Sequence, residues 1–126
     1  MKRNKKNGVI INIGSELSVV APDQRIYKKN FFKPVTYSVI KHGIIGLTKY
    51  LSTYWAEHGI RCNALSPGGI FNNQDKKFLR NFKKLVPLNR MANQDEYNSA
   101  IQFLCSDASK FLNGHNLIID GGRSIW

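Results

Sequence analysis

The chain of 126 residues contains little cysteine and no long apolar run. Its two cysteines, Cys62 and Cys105, are too few for a disulfide framework, and each lies in an apolar-patterned segment. They are therefore predicted to be reduced thiols that pack as small hydrophobic side chains. No segment approaches the roughly 20 apolar residues that a membrane-spanning helix needs. Together these absences predict a cytoplasmic protein with one domain.

Side chains that bind metal ions are few and scattered. The three histidines, His42, His58 and His115, are isolated from one another in the sequence. No spacing between histidine and cysteine matches a zinc-binding pattern. We therefore expect no metal ion held by protein ligands.

Acidic residues are also scarce. The chain has eight of them and 19 lysines and arginines, which gives a formal net charge of +11. A strongly basic domain can bind nucleic acid. Here, however, the basic residues are spread between a loop at 28–33 and a segment at 76–84. Within that segment Phe78 and Phe82 are four residues apart, which is typical of the core-facing side of a helix. This pattern favours solvated surface charge over nucleic-acid binding, although the phosphates of a bound nucleotide would also be attracted.

Short apolar segments alternate along the chain with segments of helical periodicity. The predicted strands are residues 8–13, 60–65 and 116–119, and the predicted helices are residues 35–57, 75–85 and 94–106. The first strand is β-branched and nearly all apolar, as in strands that are buried on both faces of a parallel sheet. Strands that alternate with helices predict an α/β fold, with about three parallel strands and flanking helices.

Polar and turn-forming residues follow each predicted strand. Ser15 comes after the first strand, residues 67–69 (Pro-Gly-Gly) after the second, and Asp120 after the third. Ligands of parallel sheets bind beyond the carboxyl ends of the strands. The sequence therefore predicts a site at one edge of this sheet.

Tyr37 and Lys41 open the long predicted helix and are four residues apart. On a helix this spacing places both side chains on one face, one turn apart. An ammonium beside a phenol favours the phenolate form, and a phenol of that kind can exchange a proton at a carbinol oxygen. Tyr-x-x-x-Lys is a common pattern by itself, so its meaning depends on the segments around it.

Four blocks of the sequence resemble those of one family in the same order. The blocks are Gly-Val-Ile-Ile-Asn-Ile-Gly-Ser (8–15), Tyr37-x-x-x-Lys41, Asn-Ala-Leu-Ser-Pro-Gly-Gly-Ile (63–70) and the ending Asp-Gly-Gly (120–122). They resemble the serine strand, the catalytic motif, the nicotinamide-side turn and the final strand of the short-chain dehydrogenase/reductases. The resemblance implies the C-terminal half of a Rossmann-type, doubly wound parallel sheet.

The resemblance also implies roles for individual residues. Ser15 would hydrogen-bond the carbonyl or hydroxyl group of a small substrate, and Tyr37 would be the general acid/base and would also contact the cofactor. Lys41 would assist Tyr37 and hydrogen-bond the nicotinamide ribose of NAD or NADP. The pocket for the nicotinamide would be formed by Pro67, Gly68 and Ile70, with the Ile70 backbone contacting the carboxamide. Ser15 has an alternative interpretation, in which it only satisfies backbone groups in a turn.

An insert between the serine and the tyrosine, residues 21–34, is longer than is usual in the family. With the segments around Tyr37 it resembles the branch of flagellin-modification or surface-sugar biosynthetic oxidoreductases, which implies a sugar-derived substrate. Because the insert lies between two catalytic residues, we expect it to cover the substrate pocket. Glu16, next to Ser15, has no implied role and is expected to be solvated.

The family binds its dinucleotide through a glycine-rich turn at a helix N-terminus. The ten glycines of this chain include no Gly-x-Gly. Residues 1–126 are therefore predicted to be a single partial domain, the catalytic C-terminal half, without the N-terminal dinucleotide-binding half. Residues 1–7 resemble the tail of the helix that precedes the serine strand.

The outer edge of the strand at 8–13 would then have no neighbour. An unpaired apolar strand edge is a template for pairing with another chain, which predicts a homo-oligomer or pairing with a separate N-terminal half. Two functions stay open. The chain belongs either to an NAD(P)-dependent oxidoreductase or to a catalytically inactive remnant or interaction module without autonomous cofactor binding.

Overall fold

The structure, a computed structural model, describes residues 7–126. Its main elements are, in order, strand β1 (Gly8–Ile13), helix α1 (Val35–Tyr54), strand β2 (Ile60–Pro67), helix α2 (Lys76–Lys83), helix α3 (Asn98–Cys105) and strand β3 (Asn116–Ile119). Within these residues the three strands form one parallel sheet in the order β1-β2-β3. The predicted α/β fold with three parallel strands is confirmed. Most of the helix tail predicted at residues 1–7 lies outside the described residues.

All three helices are shorter than their sequence patterns predict, and α2 covers Lys76–Lys83 instead of residues 75–85. Helix α1 ends at Tyr54 instead of residue 57, and Ala56–His58 forms a separate 3₁₀ turn. Gly59 closes that turn with a φ of 72°, which a residue without a Cβ adopts at little cost. The predicted helix at 94–106 begins as a 3₁₀ turn, Gln94–Tyr97, before α3. No helix within residues 7–126 is long and apolar enough to cross a membrane.

Strand β2 is the centre of the sheet and is longer than predicted. It continues to Pro67 because β3 pairs with its last residues, up to the pair Pro67↔Ile119. Five consecutive residues of β2, 62–66, are buried. Leu65 packs in one hydrophobic cluster with Tyr97 and Leu104.

A second hydrophobic cluster joins the insert to α2. It consists of Ile26, Phe82, Val86 and Met91, with Phe78 and other partly buried side chains packed against it. The stripe predicted from the spacing of Phe78 and Phe82 therefore does face the interior. Because Ile26 belongs to the insert, the insert is anchored in the core.

Helix α1 is held against the sheet by small polar residues. Thr48 and Ser52 are the residues it buries. The Asn12 side chain donates to Thr48 Oγ1 at 2.9 Å, and the Asn113 side chain donates to the Ser52 carbonyl, also at 2.9 Å. Ile40 on the same helix is exposed. Hydrogen bonds, rather than the apolar repeat of the sequence, thus fix the position of this helix.

The two cysteines have different environments. Cys62 is fully buried in β2, as predicted, and burial raises the pKa of its thiol. Cys105 is exposed, so the prediction that it packs as a small hydrophobic side chain is wrong. It is the last residue of α3, and α3 buries Leu104 instead.

Candidate active site

The carboxyl ends of the three strands bring the predicted residues to one edge of the sheet. The register pairs Ile13 with Leu65 and Pro67 with Ile119, so β1 and β3 both end beside the end of β2. A cleft of about 390 Å³ opens at this edge. Its walls include all six predicted site residues, Ser15, Tyr37, Lys41, Pro67, Gly68 and Ile70. The structure therefore brings together residues that are up to 55 positions apart in the sequence.

Ser15 caps a short turn at the end of β1. Its Oγ accepts a hydrogen bond from the Leu17 N–H at 3.1 Å and so begins the 3₁₀ turn Glu16–Ser18. Ser15 therefore does satisfy a backbone group in a turn, as the alternative interpretation held, but this role uses Ser15 Oγ only as an acceptor. Within residues 7–126 the Ser15 hydroxyl donates no hydrogen bond, which leaves its proton available to a ligand in the cleft.

Two lysine ammonium groups lie near the Tyr37 ring. Lys41 Nζ is 5.7 Å from the centre of the Tyr37 ring and donates to the Ile13 carbonyl at 3.1 Å. Lys33 Nζ lies over the ring, 3.8 Å from its centre. The spacing of four residues predicted the first neighbour. The second comes from the insert, and in the sequence it was indistinguishable from the other basic residues of the loop.

The insert, residues 21–34, contributes to one wall of the cleft, and its covering of a substrate pocket stays a prediction. Tyr27 and Lys33 line the cleft. The backbone of Lys33 is fixed by the Gln24 side chain, which accepts from the Lys33 N–H at 2.9 Å and donates to the Lys33 carbonyl at 3.2 Å. An ion pair between Lys28 of the insert and Asp75, at 2.8 Å, also connects the insert to the residue before α2. This bracing holds the Lys33 ammonium near the phenol.

The prediction that Glu16 is solvated is wrong. Only 6% of Glu16 is exposed, and its carboxylate lies in the wall of the cleft. Burial raises the pKa of Glu16 to about 7, Arg123 and Lys33 act to lower it, and Asp120 acts to raise it. Charged residues beside a serine in a loop are usually solvated, so nothing in the sequence indicated that Glu16 is buried.

The turn after β2 has no room for side chains at its two glycines. The Gly68 N–H donates to the Ile119 carbonyl at 2.8 Å, which draws the turn against β3. A Cβ on Gly68 would lie 2.7 Å from the Asp120 Cα, and a Cβ on Gly69 would collide with the Phe82 ring. Both positions therefore need glycine because of close packing.

Ile70 forms a parallel bridge with Ala92 that uses the backbone groups of its neighbours. The Ala92 N–H donates to the Gly69 carbonyl, and the Phe71 N–H donates to the Ala92 carbonyl. The Ile70 carbonyl accepts from the Gln74 side chain at 2.8 Å. The Ile70 N–H takes no part in these bonds, so it remains a donor at the cleft.

The sequence as a whole matches one family model. The model, described as enoyl-(acyl carrier protein) reductase, matches residues 1–124. The chain belongs to the short-chain dehydrogenase/reductase family. The predicted resemblance is therefore confirmed, and the sheet described above is part of the Rossmann-type fold of this family.

Individual relatives of this short-chain dehydrogenase/reductase differ in their named activities. It is 36% identical over 123 residues to D-threitol dehydrogenase of Mycolicibacterium smegmatis, with 94% of this chain and 44% of that protein covered. It is 35% identical over 124 residues to the post-translational flagellin modification protein A of Campylobacter coli, with 98% and 48% covered. The second of these confirms the predicted likeness to the flagellin-modification branch.

A solved structure shows the same similarity in three dimensions. The crystal structure of a short chain dehydrogenase from Leptospira borgpetersenii with bound NAD+ superimposes with a TM-score of 0.90 at 45% identity. The alignment covers 96% of this chain and 46% of that one. This short-chain dehydrogenase/reductase chain thus spans about half the length of the relatives it matches.

Metal ligands are not gathered anywhere in the described part of this short-chain dehydrogenase/reductase. Within residues 7–126 no group of three or more histidine, cysteine, aspartate or glutamate side chains could hold a metal ion. The ionisable groups of the cleft are instead a tyrosine pair, a buried glutamate and two lysines.

The Gly68→Ala substitution tests the close packing of the turn after β2. Since the new methyl group would collide with the Asp120 backbone, we expect the free energy of unfolding to fall by about 1–3 kcal/mol. The matched control is Gly46→Ala in α1, where no heavy atom lies within 4 Å of the added Cβ. That variant should be more stable by up to about 1 kcal/mol, because alanine favours helix. Urea denaturation measures both, and equal changes in the two variants would contradict the packing argument.

Proposed function

We propose that the enzyme containing this chain interconverts a hydroxyl and a carbonyl group of a small molecule, with NAD or NADP as cofactor. The observation that carries the proposal is the meeting of Ser15, Tyr37 and Lys41 in one cleft at the carboxyl edge of the sheet. The family supports a nicotinamide cofactor, since the Leptospira relative was solved with NAD+ bound. The choice between the two dinucleotides stays open.

Each of the three residues has a distinct task in this proposal. The Tyr37 phenol takes the proton from the substrate hydroxyl during oxidation and returns it during reduction. The Ser15 hydroxyl donates to the same substrate oxygen and keeps it beside the phenol. Lys41 uses one ammonium proton on the Ile13 carbonyl, so two remain for a cofactor ribose. A bound nicotinamide supplies or accepts the hydride.

The turn after β2 fits the nicotinamide end of the cofactor. Without side chains on its two glycines, the backbone at 68–69 presents a flat wall to the cleft. The Ile70 N–H is a donor for the carboxamide, and Pro67 and Gly68 form the adjoining surface. Because the chain has no Gly-x-Gly, we propose that the phosphates are bound by an N-terminal half, on the same polypeptide or a separate one.

The substrate in this proposal is a polyhydroxylated, sugar-derived molecule. The named activity of the M. smegmatis relative is on a sugar alcohol, and the C. coli relative is named for flagellin modification. The cleft supports the same class, since Glu16, Lys33 and Gln74 add polar groups around the Ser15–Tyr37 pair. Polar groups fixed around a reactive centre select substrates that carry hydroxyl groups.

The alternative function, an inactive remnant or an interaction module, is favoured by one observation. Within residues 7–126 strand β1 has no neighbour on its outer edge. Its residues Val9 and Ile13 are 37% and 50% exposed. An edge of this kind pairs readily with another strand, either of an N-terminal half or of a second copy of the chain.

Calorimetry with NAD+ and NADP+ separates these functions. We expect the 126-residue chain alone to show no binding at millimolar cofactor, because the phosphate-binding turn is lacking. The enzyme that includes the N-terminal half should bind one of the two cofactors and reduce it with D-threitol, followed by absorbance of the reduced nicotinamide. Binding without turnover of any polyol or carbonyl compound would favour the inactive alternative. Tight binding by the isolated chain would contradict the need for a second half.

A further inference from the structure

Glu16 is a buried carboxylate that the catalytic roles do not use. It follows Ser15 in a 3₁₀ turn whose three residues are all buried. Its Oε2 lies beside the turn after β2, 3.2 Å from the position that a Cβ on Gly68 would take. Glu16 also lines the cleft that contains Ser15 and Tyr37. It is therefore fixed at the wall of the substrate pocket.

The Oε2 atom of Glu16 is buried and, within residues 7–126, has no hydrogen-bond partner. Leaving a buried charged acceptor without a partner costs at least about 1–3 kcal/mol. Neighbouring cations do not remove this cost, since neither Arg123 nor Lys33 forms an ion pair with Glu16 among the described residues. A carboxylate that is buried at this free-energy cost indicates a ligand that would complete its hydrogen bonds.

We propose that Glu16 determines specificity by binding, through its carboxylate, a hydroxyl group of the substrate next to the carbon that is oxidised. This inference rests on the proposed function, because it takes the Ser15–Tyr37 pair to hold the reacting oxygen. A hydroxyl group suits the site because it can donate to a carboxylate and accept from a carboxylic acid. The favoured substrates are therefore vicinal diols, as found in sugar alcohols.

The protonation of Glu16 gives the proposal a second observable. Burial raises the pKa of Glu16 to about 7, with Arg123 and Lys33 opposing and Asp120 adding to the effect. Two phenols also face it, since burial and the Glu16 charge raise the pKa of Tyr27 and of Tyr97. The carboxylate accepts a hydrogen bond more strongly than the acid does. Affinity for a vicinal diol should therefore rise as the pH increases through about 7.

The test compares butane-2,3-diol with butan-2-ol, which lacks only the neighbouring hydroxyl group. In the enzyme with its N-terminal half we expect kcat/KM to favour the diol. Glu16→Leu should lower the ratio of the two kcat/KM values by about 10- to 100-fold, the effect of one charge-assisted hydrogen bond. Glu16→Gln should retain part of the preference and lose the change of diol KM with pH. Glu57→Gln, at an exposed glutamate, is the matched control and should leave the ratio unchanged.

Other outcomes overturn the proposal. An equal loss for both alcohols in Glu16→Leu and Glu16→Gln would show that Glu16 only stabilises the turn. A preference for 3-aminobutan-2-ol over the diol would assign the site to an ammonium group instead.

Calorimetric binding of the diol to the cofactor-loaded enzyme separates this inference from the proposed function. Diol binding that depends on Glu16 but gives no turnover would support the diol site and contradict the oxidoreductase activity. Turnover that does not change when Glu16 is replaced would support the oxidoreductase activity and contradict the diol site.

Discussion

Tyr37→Phe is expected to reduce turnover by about 100- to 10,000-fold, the contribution of a positioned general acid/base. The ring would remain near Lys33 and Lys41, so the shape of the cleft should be kept. The variant loses only the phenolic oxygen, and with it the group that moves the proton at the substrate oxygen. Cofactor affinity should change little, because the nicotinamide contacts belong to the turn after β2. Steady-state kinetics and calorimetry on the enzyme with its N-terminal half measure the two quantities.

Tyr54→Phe is the matched control for this prediction. Tyr54 is the last residue of α1, is 58% exposed and stacks on Tyr50, away from the residues that line the cleft. Its substitution should leave kcat within about twofold. If Tyr37→Phe kept full activity, Tyr37 would have no catalytic role, and the inactive alternative would have to be weighed again for the whole cleft.

Asn63→Ala is expected to lower the free energy of unfolding by roughly 2–5 kcal/mol. The Asn63 side chain is fully buried in β2. Its Oδ1 accepts from the His115 N–H, and its Nδ2 donates to the Leu112 carbonyl, both at 2.9 Å. Alanine would leave the His115 N–H without a partner, at a cost of about 1–3 kcal/mol, whereas the Leu112 carbonyl would keep its bond from Arg61 and lose about 0.5–1.5 kcal/mol. The segment that leads into β3, and with it Asp120, would then be released from the central strand.

Urea denaturation followed by tryptophan fluorescence measures this loss. The control is Asn72→Ala, since Asn72 is exposed and its side chain forms no hydrogen bond among the described residues. That change should stay within about 0.5 kcal/mol. A loss below about 0.5 kcal/mol for Asn63→Ala would mean that water replaces the amide in both hydrogen bonds.

Sequence patterns predicted the elements of this fold because each depends on local spacing. The apolar, β-branched segment before Ser15 predicted β1 with the bounds that the structure has. The ends of helices were less predictable, as at Tyr54, because a single 3₁₀ turn of three residues is too short for its periodicity to be told from that of an α-helix. The buried side of α1 was not predictable either, since its two buried residues, Thr48 and Ser52, are polar and are bonded by residues from distant segments, Asn12 and Asn113.

The residues of the candidate site were also predictable only in part. The sequence alone predicted the order of strands and helices and, through a resemblance, the family and the candidate residues Ser15, Tyr37 and Lys41, because motifs and periodicity are properties of short segments. Only the tertiary structure decided that Glu16 is buried with an unpartnered oxygen, and that Lys33 lies over the Tyr37 ring. Burial depends on what packs around a side chain. Glu16, for example, packs beside Gly68, which is more than 50 residues away in the sequence.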